Sequence, residues 1–314
     1  MNIVFCADRR VFPGLHVAAY SVLEKMDAGV RSVSFHLFSQ DLGDADESLL
    51  RKTLAGVGRE FSLELHHLDA GLLESFPLLH GSLAPYFRLM AIDQMSVDRL
   101  LYLDIDTVCD VDLSPLQNLD MGSCPAAWVS EAPMSGAVDR FTAEHLGNSP
   151  DEPYFNSGVI LVNVPEWKRQ SISRKSLEYI AENKPPFHDQ SALNVVLRKN
   201  AISLDARYNT ISNMRKHWPI LTKPSGQTDC LMHFVDYPKP WDLGAELIHP
   251  QYRQWRRILD KTAIRNFRSW NNTPARKWPK TAKARIGYKK TARDRILFLL
   301  YYHKIIKNIK GVIS

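Results

Sequence analysis

Cysteine is scarce in this chain: of 314 residues only Cys6, Cys109, Cys124 and Cys230 are cysteines, and no two of them form a CxxC pair. Such scatter excludes the paired spacings of zinc sites and the dense pattern of small disulfide-rich domains. Three of the four lie in or beside apolar runs, where cysteine behaves as a small hydrophobic residue. We therefore expect a protein of a reducing compartment without structural zinc.

Long hydrophobic runs are also lacking. No uninterrupted apolar stretch approaches the roughly 18 residues from which a transmembrane helix is predicted, and no basic region precedes the first apolar segment. We expect neither a membrane-spanning helix nor a secretory signal. The sequence also has no internal repeat and no low-complexity segment. At 45% hydrophobic and 24% charged residues, its composition is typical of a globular protein.

Positive charge is concentrated at one end of the chain. Of the 40 Lys and Arg residues 18 lie in residues 251–314, against 2 of the 34 Asp and Glu residues, so this segment carries +16. The preceding 250 residues carry −10, although the net charge of the chain is +6. This asymmetry predicts an acidic domain over residues 1–250 and a basic C-terminal region over residues 251–314, with different roles.

Apolar periodicity alternates between strand and helix along the first 250 residues. Strands are predicted at 2–7, 32–38, 63–67, 99–104, 126–129, 158–163, 201–204 and 230–234, and helices at 16–26, 44–54, 84–95, 167–182 and 191–199. Strands separated by helices favour βαβ units and a mainly parallel, Rossmann-like sheet flanked by helices. In such α/β sheets, ligands bind at the carboxyl ends of the strands.

One of these strands ends in the acidic sequence Asp104-Ile105-Asp106. Alternation along a strand puts the two carboxylates on one face, about 7 Å apart. Hard oxygen ligands of this kind suit Mg²⁺, Mn²⁺ or Ca²⁺. The alternative is that the two acids merely close the strand.

Other candidate residues are less specific by themselves. His233 ends a further apolar run, and Lys239 lies in a proline-rich turn where its charge could neutralise a diphosphate. Asn156 and Gly158 belong to a predicted polar loop over residues 154–157 and the strand after it; an amide can bind sugar hydroxyls. Asp189 immediately precedes a predicted helix, so it is either a sugar-binding carboxylate or an N-cap.

Taken together and in order, these segments resemble the bacterial family 8 glycosyltransferases, the galactosyl- and glucosyltransferases of lipooligosaccharide assembly. The resemblance covers roughly residues 1–245. It depends on six segments: Ile3-Val4-Phe5-Cys6-Ala7-Asp8, Tyr86-Phe87-Arg88-Leu89, Tyr102-Leu103-Asp104-Ile105-Asp106, Phe155-Asn156-Ser157-Gly158, Asp189-Gln190-Ser191-Ala192-Leu193-Asn194, and His233 through Lys239-Pro240-Trp241. It implies a GT-A type fold and an enzyme that transfers a hexose, galactose before glucose, from a UDP-sugar to a glycan or glycolipid acceptor.

The resemblance also implies a role for each matching residue. Asp104, Asp106 and His233 would be the protein ligands of Mn²⁺, with Mg²⁺ as the alternative ion. Ala7, Asp8 and Ile105 would contact the nucleotide, and Arg88 and Lys239 would face the sugar and phosphates of the donor. Asn156, Asp189 and Gln190 would surround the transferred hexose, with Gln190 near the anomeric carbon.

Family members retain the anomeric configuration, so an α-linked donor would give an α-glycosidic product. A conventional retaining glycosidase uses a carboxylate nucleophile, whereas this motif places the amide of Gln190 there. An amide is a poor nucleophile, which favours front-face attack with the leaving phosphate accepting the proton. Asp189 as a covalent nucleophile is the alternative mechanism.

The sequence departs from the family pattern at three places. Arg9 and Arg10 follow Asp8 where Asp and Asn are common, and Asp236 replaces a glycine. Glu131 follows Ser130 where another acid near the acceptor is expected, so acceptor contacts do not carry over. Two alternatives remain: an idle nucleotide- or glycan-binding scaffold, and a nucleotidyltransferase, although the glycine-rich phosphate loop of the latter is missing after the first strand.

The basic C-terminal region interleaves its cations with aromatic and aliphatic residues, with a linker predicted at 270–290 and a helix at 291–309. This pattern favours a helix lying in an anionic membrane interface. The alternatives are a helical subdomain packed on the body and a nucleic-acid-binding segment; we do not expect nucleic acid, because no recognition motif accompanies the charge. The resulting prediction is a cytoplasmic enzyme, peripheral on the inner face of the cytoplasmic membrane.

Overall fold

The computed structural model of the protein describes residues 1–69, 71–73, 76, 83–133, 139–147, 151–212, 229–235, 239–242, 245 and 251–268. Several sequence features lie outside these ranges: Asp236, the predicted linker at 270–290 and the predicted helix at 291–309.

Two sheets organise the described residues. The strands are β1 (Asn2–Cys6), β2 (Val33–Ser39), β3 (Phe61–His67), β4 (Arg99–Leu103), β5 (Thr107–Cys109), β6 (Ala126–Pro133), β7 (Pro153–Asn163), β8 (Ala201–Ser203), β9 (Thr210–Ile211) and β10 (Leu231–His233). The large sheet has the order β3-β2-β1-β4-β7-β6-β8, and the small one has the order β5-β10-β9. In the large sheet only β7 runs antiparallel to its neighbours, so the predicted mainly parallel sheet is confirmed.

Helices cover both faces of the large sheet. They are α1 (Phe12–Lys25), α2 (Asp44–Ala55), α3 (Ala84–Gln94), α4 (Arg140–His145), α5 (Val164–Arg169), α6 (Ile172–Asn183), α7 (His188–Val196) and α8 (Tyr252–Leu259). Because successive strand residues point to opposite faces, Phe5 packs in the apolar core with α1 and α2, and Val4 packs in the core with α3, α6 and α7. The result is a three-layer α/β/α arrangement.

Two local predictions were wrong, and one alternative is excluded. The polar segment at 154–157 is not a loop but the first part of β7, because its side chains are buried against polar partners. The helix predicted at 167–182 is divided into α5 and α6 by Ser171, whose φ of 55° interrupts helical geometry. Asp189 is not an N-cap, since α7 begins one residue earlier and Phe187 holds the capping position.

The cysteine prediction is confirmed where it concerns burial. Cys6, Cys109 and Cys230 are buried, Cys124 is partly exposed, and all four are free thiols.

The start of the basic region packs against the domain body. Trp255, Ile258 and Leu259 of α8 are buried in an apolar cluster with Tyr20 of α1 and with Trp241. The division at residue 250 stays a prediction. Within the described residues, no helix combines the length and the apolar character needed to span a membrane.

Candidate active site

Most of the predicted site residues meet at the carboxyl end of β4. Asp104 follows β4 directly, and the antiparallel strand β7 brings Gly158 beside it, so that the Asp104 backbone N–H donates to the Gly158 carbonyl at 2.7 Å. The first turn of α7 and the end of β10 reach the same place from later in the chain. The structure thus gathers these residues at the edge where α/β sheets bind ligands.

Asp104, Asp106 and His233 form a cluster with the geometry of a cation site. One ligand atom from each lies within 4.8 Å of the others, and His233 Nε2 is 3.1 Å from Asp106 Oδ1 and 3.7 Å from Asp104 Oδ2. His233 is buried, and Ile105 between the aspartates is packed against the apolar cores. Carboxylate oxygens with one imidazole nitrogen suit a divalent ion such as Mn²⁺, so the residues present fit a metal.

Lys239 adds a positive charge to this cluster. Its Nζ donates to Asp106 Oδ2 at 2.5 Å and to the carbonyls of Phe234 and Val235 at 2.7 and 3.1 Å. Burial alone would raise the pKa of Asp106, but the charge of Lys239 and the hydrogen bonds from Lys239 and His233 outweigh it and hold that pKa well below its ordinary value. Asp106 is therefore ionised at physiological pH.

Arg88 connects the metal cluster to the first turn of α7. Its Nη2 lies 3.0 Å from Asp104 Oδ1, its Nε lies 3.0 Å from Asp189 Oδ2, and Nη1 donates to the Ser157 carbonyl. The guanidinium also lies over the Tyr102 ring, 4.5 Å from its centroid. Burial would lower the pKa of Arg88, but the two carboxylates outweigh it and keep the guanidinium charged.

Asp189 is a buried carboxyl group with a raised pKa. Burial raises its pKa to about 6, Arg88 opposes this rise, and Asp104 adds to it. Its Oδ2 atom accepts from Arg88 and, at 3.4 Å, from the Ser157 hydroxyl. These contacts hold the carboxylate in place and reduce its availability as a nucleophile.

Gly158 allows the cluster to close. A Cβ at this position would lie 2.1 Å from His233 Cε1, 2.8 Å from His233 Nδ1 and 2.9 Å from Asp104 Oδ2. The absence of a side chain at Gly158 therefore gives room to two predicted metal ligands of the protein.

The predicted sugar-site amides hydrogen-bond to each other. Asn156 Nδ2 donates to Gln190 Oε1 at 3.2 Å, and Asn156 Oδ1 accepts from the Gly158 backbone N–H at 2.9 Å. Gln190 Oε1 also accepts from the Ser157 backbone N–H at 3.1 Å. Glu131 approaches the same group, with its Oε2 atom 3.4 Å from Asn156 Nδ2, so the acid that departs from the family pattern lies beside these amides.

Sequence reasoning missed three residues of this neighbourhood. The Tyr102 hydroxyl donates to Asp104 Oδ1 at 2.7 Å, the Tyr154 hydroxyl accepts from Gln190 Nε2 at 3.1 Å, and Asn209 Oδ1 lies 2.9 Å from His233 Nδ1. Tyr102 stands inside a quoted motif, where alternation along the strand could have indicated it, whereas Tyr154 begins the segment that the sequence predicted to be a loop. Asn209 ends a short 3₁₀ turn before β9, and no motif or periodicity marks it.

The end of β1 carries the residues predicted to contact the nucleotide. Ala7 is fully buried, and Asp8 accepts from the Arg10 backbone N–H at 2.9 Å and pairs with the Arg10 guanidinium at 2.6 Å. Arg9 pairs with Asp46 at 2.6 Å. The two arginines that depart from the family pattern thus pair with acidic residues that lie outside the metal cluster.

The family follows from the comparison of this sequence with known families. The sequence profile of glycosyl transferase family 8 matches residues 2–244, which include all the residues of the cluster. The chain belongs to glycosyl transferase family 8. It is therefore an enzyme that transfers a sugar, and its GT-A fold with converging acidic residues fits a UDP-sugar donor and a divalent metal.

Relatives of this family 8 enzyme include two lipopolysaccharide glycosyltransferases. The lipopolysaccharide 1,2-glucosyltransferase of Escherichia coli K12 is 27% identical over 325 residues, which cover 99% of this chain and 89% of that protein. The lipopolysaccharide 1,3-galactosyltransferase of Salmonella typhimurium LT2 is 27% identical over 254 residues, 76% of this chain and 72% of that protein.

The fold is similar to that of the galactosyltransferase LgtC, solved in complex with donor and acceptor sugar analogues. The TM-score is 0.70 at 22% identity, over 89% of this chain and 100% of that chain. This likeness establishes the GT-A type fold that the sequence predicted.

Proposed function

We propose that this enzyme transfers galactose or glucose from UDP-hexose, with retention of configuration, to the saccharide of a lipopolysaccharide-type acceptor. The observation that carries the proposal is the convergence of Asp104, Asp106 and His233 beside Lys239, with Asp189 joined to Asp104 through Arg88 and Gln190 hydrogen-bonded to Asn156 nearby. Galactose is the sugar that the family resemblance favours, with glucose next. The named relatives include both a glucosyl- and a galactosyltransferase of lipopolysaccharide, which supports the acceptor class and either sugar.

Mn²⁺ is the proposed ion, held by Asp104, Asp106 and His233. When bound, the ion would supply positive charge to the departing diphosphate. Lys239 supplies a second, fixed charge at the same carboxylate. Since the leaving group gains negative charge as the glycosidic bond breaks, a fixed cation at this position stabilises the transition state more than the ground state.

The contacts of Asp189 support front-face attack. Its carboxylate is buried, paired with Arg88 and bonded to the Ser157 hydroxyl, so displacing it toward an anomeric carbon would break an ion pair in a low-dielectric environment. Gln190 is the proposed neighbour of the anomeric carbon, and an amide forms no stable glycosyl ester. The acceptor hydroxyl then attacks from the side of the leaving phosphate, which takes the proton.

Attachment to an anionic membrane surface is a further part of the proposal, and it depends on the sequence of residues 251–314. Their charge of +16 favours binding to acidic lipids, which would bring the enzyme to a lipid-linked acceptor at the inner face of the cytoplasmic membrane. Co-sedimentation with phosphatidylglycerol vesicles at low and high salt tests it, and full-length protein that stays in the supernatant at low salt would contradict it.

Release of UDP from a panel of UDP-sugars in the presence of MnCl₂ tests the main proposal. The wild-type enzyme should turn over one UDP-hexose, and Asp106→Ala should abolish this activity. Asp98→Ala is the matched control, because Asp98 is exposed and precedes β4 at the end opposite Asp104; it should keep wild-type rates. An α-configured product by proton NMR would support retention. Absence of both turnover and Mn²⁺-dependent UDP binding would instead favour the idle scaffold.

A further inference from the structure

A chain of side-chain hydrogen bonds joins His233 to Gln190 through two buried asparagines. Asn209 Oδ1 is 2.9 Å from His233 Nδ1, and Asn209 Nδ2 donates to Asn156 Oδ1 at 2.9 Å. Asn156 Nδ2 then donates to Gln190 Oε1 at 3.2 Å. His233, Asn209 and Asn156 are each more than nine-tenths buried, so protein groups replace water as their partners.

Two backbone N–H groups fix the direction of every bond in this chain. The Gly158 N–H can only donate, so the Asn156 atom that it meets at 2.9 Å is the amide oxygen. The Asn209 atom facing that oxygen must therefore be the NH₂ group, and its oxygen faces His233 Nδ1. The Ser157 N–H fixes the oxygen of Gln190 in the same way, at 3.1 Å.

The consequence for His233 is a separate role for each ring nitrogen. Because Asn209 presents an acceptor, Nδ1 keeps its proton, and Nε2, which faces Asp104 and Asp106, is the nitrogen left to bind a metal. A metal-binding histidine is commonly held this way, by a hydrogen bond from its other ring nitrogen.

We infer that Asn209 is a positioning residue that keeps His233 Nε2 ready to bind the metal and also orients the Asn156–Gln190 amide pair. The inference rests on the proposed metal site. Asn209 belongs to no motif in the sequence, yet it contacts residues of both the metal site and the sugar site.

Two substitutions separate these functions. Asn209→Leu removes the acceptor, and we expect the dissociation constant for Mn²⁺ without donor sugar to rise by about 10–100-fold. Asn209→Asp keeps an acceptor for Nδ1 but opposes an oxygen to Asn156 Oδ1. We expect it to bind Mn²⁺ within a few-fold of wild type and to show a raised KM for the donor.

Electron paramagnetic resonance titration measures the dissociation constant for Mn²⁺ without donor sugar, and Asn194→Leu is the matched control. Asn194 is a buried amide that bonds to both backbone groups of Phe155, so its loss should leave Mn²⁺ affinity unchanged. Equal Mn²⁺ affinity in wild type and Asn209→Leu would overturn the inference, whereas a wild type that binds no Mn²⁺ would overturn the proposed function. If Asn209→Leu does not fold, the nitrogen-15 spectrum of wild-type His233 decides: an Nδ1 atom without a proton contradicts the inference.

A second, independent cluster of metal-ligand type lies away from this site, on β2 and β3. His36 stands opposite Glu64 in the parallel pairing of the two strands, and His66 is two residues further along the same face. His36 Nδ1 is 3.2 Å from His66 Nε2, and each of these nitrogens is 3.6 Å from Glu64 Oε2.

These separations suit a tetrahedral ion. Bonds of 2.0–2.1 Å at tetrahedral angles put ligand atoms about 3.4 Å apart. Without an ion, one N–H can join the two imidazole nitrogens in a hydrogen bond. The carboxylate oxygen of Glu64 is then too far from either nitrogen to form a hydrogen bond of its own. The Phe38 ring stacks on His66 with centroids 4.4 Å apart and fixes its orientation, while the Glu64 side chain is 60% exposed and gives an ion access from solvent.

We propose that His36, Glu64 and His66 bind Zn²⁺ or a similar transition-metal ion, with water at the fourth position. Two imidazoles and one carboxylate form a common three-ligand zinc set. The ion would join β3, the last strand of the sheet, to β2. This proposal is independent of the transferase function.

Zn²⁺ stoichiometry by isothermal titration calorimetry tests this second site. Wild type should bind one more ion than His66→Gln, and His67→Gln is the matched control, since His67 is exposed on the opposite face of β3. Co²⁺ bound to the wild type should show tetrahedral visible absorption that His66→Gln lacks. Equal stoichiometry and identical spectra in wild type and His66→Gln would overturn the proposal.

Discussion

Arg88 Nε lies 3.0 Å from Asp189 Oδ2, and both side chains are more than nine-tenths buried. The same guanidinium reaches Asp104 at 3.0 Å, so one cation neutralises two carboxylates from different elements. A buried pair of this kind contributes little net stability while intact, but loss of one partner leaves an uncompensated charge in a low-dielectric environment.

The first prediction concerns this ion pair. Arg88→Met should lower the free energy of unfolding by about 3–5 kcal/mol, because Asp104 and Asp189 then repel each other without a counter-charge. Arg88→Met combined with Asp189→Asn should recover part of the loss, since one of the two charges is gone. Urea unfolding of wild type, both single variants and the double variant measures this coupling. Strictly additive effects would show that the two residues do not interact.

The second prediction is the pH dependence of stability that Asp189 produces. Its pKa is raised from 3.8 to about 6 in the folded protein, so between these values the folded state retains a proton that the unfolded state has lost. The contribution of Asp189 to the free energy of unfolding therefore falls as pH rises through that window and is constant outside it. Relative to Asp189→Asn, wild type should lose roughly 2–3 kcal/mol of unfolding free energy between pH 4 and pH 7. A difference that is flat across this window would contradict the raised pKa.

The sequence was informative about elements and about the polar residues at strand ends. Apolar periodicity located eight of the ten described strands and most of the helices, but it missed the short strands β5 and β9. The family resemblance implied the grouping of Asp104, Asp106 and His233. Apolar periodicity failed at residues 154–157, because polar side chains within a buried strand resemble a loop until their partners are known. Asn209 could not be predicted, since its role depends on a hydrogen bond to a residue 24 positions away.

The third prediction tests the close contact at Gly158. Gly158→Ala would place a methyl group 2.1 Å from His233 Cε1 and 2.9 Å from Asp104 Oδ2, so both side chains must move. We expect Mn²⁺ binding and transferase activity to be lost together. Gly43→Ala is the control, because a Cβ there meets no atom within 4 Å; it should retain both. Full Mn²⁺ affinity in Gly158→Ala would show that the cluster tolerates rearrangement.

The last prediction separates the role of Lys239 from that of the metal ligands. Its Nζ is held by Asp106 and by two backbone carbonyls, so the charge is preorganised for a diphosphate. Lys239→Met should reduce kcat/KM by about 10²–10³, the effect of removing one preorganised donor to a developing negative charge. It should leave an Mn²⁺ dissociation constant close to that of wild type, because Lys239 carries no ligand atom.

Lys239→Arg should restore little of this activity, since a planar guanidinium cannot reproduce the three contacts of a compact ammonium group. Steady-state kinetics with UDP-hexose and Mn²⁺ titration of the same protein samples measure the two quantities. A Lys239→Met enzyme that loses Mn²⁺ binding in parallel with activity would assign the lysine to the assembly of the metal site, through the Asp106 carboxylate that it contacts, and would remove it from transition-state stabilisation.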